Sequence, residues 1–160
     1  MRALPQQVEL VPLQRLLSGI AEGSVVLPEF QRDYVWSNRD ARALVATILQ
    51  GWPAGSLLLM DGAPEAFDVR PFEGQASART LPELVVLDGQ QRLTALFQAL
   101  TDSGPYRFYL DLDLLAQAGG GVDLETADPE DVESCIPPSG GQARKTNNCD
   151  FPERALAFCR

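Results

Sequence analysis

Along the first part of the chain apolar residues recur with two different periods, and the points where the period changes predict the elements. Leu13, Leu16 and Leu17 share a helical face, so a short helix is expected from Pro12 to Leu17 with Gly19 as its stop. Val25 to Leu27 reads as a short strand ended by Pro28, which has no N–H to offer a sheet ladder. Glu29 to Trp36 follows as an ordered loop. Ala41, Leu44, Val45, Ile48 and Leu49 then fall at i, i+3, i+4, i+7 and i+8. They predict a helix capped by Ser37 or Asn38, with Asp40 in its first turn and Gly51 and Pro53 beyond its end.

Ser56 to Met60 is a continuous apolar run between turn residues and reads as a buried strand. Asp61 to Leu81, rich in Gly, Pro and Ala, reads as a variable excursion. Leu84 to Leu87 is the clearest buried strand; it runs into Asp88-Gly89 and then a helix with Leu93, Leu96, Phe97 and Leu100 on one face. Tyr106 to Leu112 is expected to return as a strand after the Ser103-Gly104-Pro105 turn. Beyond it, Gly119 to Gly121, Pro137-Pro138 and Ser139 to Gly141 mark loops, and no periodicity resumes. No internal repeat is present.

Composition narrows the chemistry. The 160 residues, 45% hydrophobic and 22% charged, suit one globular domain with a real core. No apolar run approaches the roughly 20 residues that span a bilayer, and the start, Met1 to Gln7, lacks a secretory h-region, so a cytoplasmic location without a membrane partner is expected. The chain has no histidine, which excludes Ser-His-Asp and Cys-His catalysis and any histidine-metal nuclease centre in these residues. Cys135, Cys149 and Cys159 form no close CxxC pair and read as free thiols of a reducing compartment rather than a zinc site. The net charge of -9 opposes the counterion-release term behind non-specific nucleic-acid binding. The acid is concentrated late: Asp111, Asp113, Asp123, Glu125, Asp128, Glu130, Asp131 and Glu133 fall between Arg107 and Arg144 with no base among them.

What remains for chemistry is carboxylates, amides, hydroxyls and arginines, and two constellations collect them. At the junction of strand and helix, Gly89 permits a tight turn, and the free N–H groups of the first helical turn, Gln90 to Leu93, suit an anion such as phosphate. Arg92 offers a permanent charge with paired donors, Gln90 and Gln91 can bind a base or ribose or orient a water, and Thr94 adds a hydroxyl. Asp88 has two readings: a helix cap accepting from the backbone, or a holder of Mg²⁺ or of an attacking water. The second constellation is Gln31-Arg32 with Tyr34 and Trp36. It is either a packed loop whose arginine pairs with Glu29 or Asp33, or a second phosphate-binding arginine beside a stacking surface. Spacing alone does not bring Arg32 to Arg92.

Three segments occur in order: Leu27 to Trp36 (LPEFQRDYVW), Gly51 to Ser56 (GWPAGS) and Val86 to Thr94 (VLDGQQRLT). Together they resemble the signatures of the N-terminal domain of GmrSD-type restriction endonucleases. The resemblance covers residues 8–112 and leaves 113–160 as an acidic, Gly/Pro-rich irregular segment, the expected start of a region that continues past this chain. It implies an α+β fold of ParB/sulfiredoxin-like type, a small mixed sheet with packed helices. It also implies one nucleotide site lined by Gln31, Arg32, Asp88, Gly89, Gln90, Gln91 and Arg92, with Ser56 a weaker addition. In such proteins the domain binds or hydrolyses nucleoside triphosphate and governs a separate nuclease domain, often of HNH type, that attacks modified or foreign DNA.

The expectation is therefore a nucleotide-binding, NTP-hydrolysing regulatory domain of an anti-phage restriction system, not a nuclease on its own. Asp88, Gln91 and Arg92 are the expected catalytic residues, Asp88 the metal ligand for Mg²⁺, and the nuclease domain or subunit the route to DNA. Two alternatives stand beside it: a sensor of nucleotide or DNA phosphate without turnover, and an inactive remnant.

Overall fold

The computed structural model describes residues 7–62, 65, 67–77, 81–119, 127–136 and 155–157. Helix α1 spans Leu13–Glu22 and buries Leu16, Leu17 and Ile20. It runs through Gly19 to end at Gly23. Gly19 is used instead for close packing, because a Cβ there would stand 2.5 Å from Cγ2 of Val25. Strand β1, Val25–Pro28, is buried along its whole length.

Helix α2, Asn38–Leu49, begins with the expected cap. The Ser37 side chain accepts from the Asp40 N–H, and the Asp40 carboxylate accepts from Ser37 N at 2.8 Å, a reciprocal pair that satisfies two otherwise orphaned donors. Asp40 is held below the usual carboxylate range first by the Ser37 hydroxyl and then by the Ser37 backbone. Ala41, Leu44, Val45 and Ala46 form the buried stripe.

The main sheet has the order β2-β4-β1-β3, with β2 at Leu58–Asp61, β3 at Val69–Arg70 and β4 at Leu84–Asp88. Strands β1 and β4 are parallel at the centre, Val25 opposite Leu84 and Val26 opposite Val85. A parallel pair needs a crossover between its strands, and α2 lies within that connection. Strands β2 and β3 pair antiparallel on the two edges. The run ending at Met60 is thus an edge strand rather than a buried one: Leu58 is 51% exposed, whereas Val85 and Val86 on β4 are fully buried. The 61–81 excursion contributes β3 to the opposite edge.

Helix α3, Gln90–Thr101, follows β4 after one residue and packs on α1 and α2. Residues 106–112 deliver only the short strand β5, Tyr109–Asp111, which leaves the main sheet and pairs with β6, Ala155–Ala157. Where periodicity faded, two helices form, α4 at Leu112–Gly119 and α5 at Pro129–Ser134. Val132, Cys135 and Ile136 are buried in the same core as α1 to α3, and burial pushes the Cys135 thiol up. Arg42 of α2 meets Glu133 at 2.7 Å, and the Gln50 amide donates to the Ala127 carbonyl at 2.7 Å. The product is an α+β fold around a small mixed sheet.

Candidate functional site

The first and third motif segments meet at the start of α3, and side-chain amides join them. Gln90 Nε2 donates to the Arg32 carbonyl at 2.7 Å and Gln91 Nε2 to the Asp33 carbonyl at 3.0 Å. The other end of the Gln91 amide accepts from Val35 N at 2.9 Å. In return Gln31 Nε2 lies 2.9 Å from both the Val86 and Leu87 carbonyls of β4. A glutamine amide has one donor and one acceptor end, so two in succession can tie a loop backbone on both sides, which a carboxylate cannot do. The loop at 31–35 is therefore held against the β4–α3 junction by groups more than 50 positions away in sequence.

Gly89 sits at the cap position with φ of 92°. A side chain there would be strained, and its Cβ would overlap the Leu57 side chain, so glycine is required on both counts. Asp88 does not cap α3: the helix has no side-chain cap at all. Its carboxylate is 73% exposed and 3.8 Å from Arg92 Nη2.

Arg92 is turned toward the other neighbouring loop. Nη1 donates to the Ala54 carbonyl at 2.6 Å and Nη2 to the Ser56 carbonyl at 2.8 Å. The guanidinium thus spans Gly55, which has φ of 89° and leaves no room for a Cβ beside Nη1. Ser56 enters the site as this backbone acceptor and lies ahead of β2, not in it. Thr94 is fully buried with an unpartnered hydroxyl, so its Oγ1 has no direct route to a ligand at the surface. Arg32 is exposed, and among the described residues its side chain makes no hydrogen bond or ion pair.

Two residues outside the motifs complete the arrangement. Arg70, on β3, donates from Nη2 to the Gln31 and Arg32 carbonyls at 3.2 and 3.1 Å and lies 3.6 Å from Asp33 and 3.7 Å from Glu73. Glu73 in turn accepts from Tyr34 N at 3.0 Å. Both fall in the stretch that read as a variable excursion, and no spacing pattern marks them. Tyr34 and Trp36 pack against the core edge, and burial, followed by the charges of Asp40 and Glu73, pushes the Tyr34 phenol up to about 12. The local charge is therefore mixed, with Arg32, Arg70 and Arg92 facing Asp33, Glu73 and Asp88.

The chain matches the family model of the GmrSD restriction endonuclease N-terminal domain over residues 13–152. It is 36% identical over 111 residues to an uncharacterized protein of Methanocaldococcus jannaschii, an alignment covering 60% of this chain and 19% of that protein. The chain thus spans about a fifth of that relative's length. No solved structure matches it. With the family match running through all three motif segments and on past α5, the chain belongs to the GmrSD restriction endonuclease N-terminal domain family.

Proposed function

We propose that the β4–α3 junction is the phosphate site of a regulatory domain that binds and hydrolyses a nucleoside triphosphate and thereby controls a nuclease domain or subunit of HNH type. The observation that carries this reading is the start of α3, an N-terminus with no side-chain cap, begun by a left-handed glycine and flanked by exposed Arg32 and Asp88. First-turn N–H groups without a cap attract anions, and the helix dipole adds to the effect. Arg32 supplies the free guanidinium for phosphate charge. Gln31, Gln90 and Gln91 set the loop that carries it, and Arg92 sets the loop at 54–56.

Asp88 is the residue that would hold Mg²⁺ or a water. One exposed carboxylate with no partner nearer than 3.8 Å among the described residues fits a cation that is held by one or two carboxylates together with substrate phosphates. No cluster of three or more metal-ligating side chains occurs among the described residues, so the nucleotide itself would bring most of the ligands. Bound there, Mg²⁺ would offset phosphate charge. The net charge of -9 supports access to DNA through the nuclease partner rather than through this domain, and the absence of histidine argues against cleavage by it.

A second reading, a sensor of nucleotide or DNA phosphate without turnover, is favoured by Gln91: its amide is buried and tied at both ends to the loop backbone, which commits it to holding that loop rather than to moving with a reacting water. Phosphate release with Mg²⁺, measured beside nucleotide binding by calorimetry, separates the two. Hydrolysis predicts that Asp88→Ala loses release while keeping binding, and that Arg32→Ala weakens binding about tenfold or more. Equal release from wild type and Asp88→Ala refutes the hydrolytic role of Asp88. Saturable binding without release establishes the sensor, and no binding of any triphosphate refutes both.

A further inference from the structure

A second concavity lies further along α3. Its lining brings together two segments that each carry aromatic residues two apart: Tyr34 and Trp36 from the motif loop, Tyr106 and Phe108 from the segment after α3. Two buried small side chains, Ala41 and Ala95, also line it, and its polar lining includes Asn38 and Gln98. No lining residue is charged. Ala95 stands four residues after Gln91, so the cleft begins one helical turn, about 6 Å of rise, beyond the phosphate junction.

We propose that this cleft is a slot for a single uncharged planar heteroaromatic ring, a nucleobase, and that it is separate from the phosphate site. Size decides against a whole nucleotide: the cleft holds about 230 Å³, below the roughly 300–1,000 Å³ of pockets that enclose drug-sized ligands. Charge decides against phosphate, because the field at Tyr34 is set by Asp40 and Glu73 and no lining residue offers a base. Aromatic faces stack on any base, and amide or hydroxyl tips read its edge. Those tips are available: among the described residues the Tyr34 and Tyr106 hydroxyls, the Trp36 indole N–H and the Asn38 amide have no hydrogen-bond partner. None of them is a fully buried orphan, so each can be reached from outside. The two small alanines keep the slot open among its aromatic residues, since a longer side chain at either position would fill it.

The test uses the full chain carrying Trp52→Phe, which leaves Trp36 as the sole tryptophan reporter. It is titrated with free nucleosides, a short single-stranded oligonucleotide, and the same oligonucleotide with abasic positions. The proposal expects saturable change of Trp36 fluorescence with base-bearing ligands and none with the abasic strand. Tyr106→Ala, at a half-exposed lining residue, should weaken binding roughly tenfold or more, and Arg32→Ala should leave nucleoside binding unchanged. Response to nucleosides identifies a free base as the ligand, and response to the base-bearing strand alone identifies a base displaced from nucleic acid. No Trp36 response to any base-bearing ligand, or loss of nucleoside binding in Arg32→Ala, overturns the proposal. Calorimetry of triphosphate binding decides the phosphate-site reading independently.

Discussion

Replacing Gln91 by Leu keeps the side-chain volume but removes the two bonds that hold the motif loop, to the Asp33 carbonyl at 3.0 Å and from Val35 N at 2.9 Å. Each such bond contributes about 1 kcal/mol net, and a buried group left without its partner costs about 1–3 kcal/mol. Asp33 and Val35 are exposed, so water partly replaces the lost partners and the lower end applies. The expected loss is about 2 kcal/mol, which lowers the melting temperature of a chain this size by roughly 4–8 °C. Thermal unfolding measures the global effect, and hydrogen exchange at the Val35 amide measures the local one. Gln91→Glu is the informative companion, because it keeps an acceptor for Val35 N while placing an oxygen against the Asp33 carbonyl. It should retain protection of the Val35 amide and still lose stability. If Gln91→Leu melts with the wild type and leaves Val35 exchange unchanged, the glutamine is not the clamp described here.

Gly55→Ala should cost about 3 kcal/mol, combining a left-handed backbone penalty of about 1–2 kcal/mol with displacement of the Arg92 guanidinium from the Ala54 and Ser56 carbonyls. Arg92→Met removes the same bonds, so the double variant should lose less than the sum of the singles, and strict additivity in thermal unfolding would contradict the shared origin. A pH dependence follows from Tyr34, whose folded phenol holds its proton more tightly than the unfolded one. Stability present below pH 10 is therefore lost as pH rises toward about 12. With the side chain only half-buried, the loss is about 1 kcal/mol. Tyr34→Phe should remove that part of the alkaline slope, and identical slopes in chemical denaturation would refute the assignment.

Local pattern determined the elements whose signals are local. The stripe from Ala41 to Leu49, its Ser37 and Asp40 cap, the apolar run at 84–87 and the Gly89 turn all reflect forces acting within a few residues, and each stands where the pattern placed it. The α+β class was legible through the three motif segments. Tertiary structure alone decided whether an apolar run is central or at an edge, because Leu58 and Val86 look equally apolar until neighbouring strands are counted. It also decided that Gly19 packs rather than stops a helix, and that Val132, Cys135 and Ile136 join the core. At the site the sequence marked Gln90, Gln91 and Arg92 as chemically capable, but not what they touch. Their partners lie on backbones 36 to 58 positions away, and a hydrogen bond to a carbonyl leaves no trace in the identity of the residue that owns it. For the same reason Arg70 and Glu73 were invisible, and Arg32 stood apart from Arg70 and Arg92 at the site only when the fold had engaged those two.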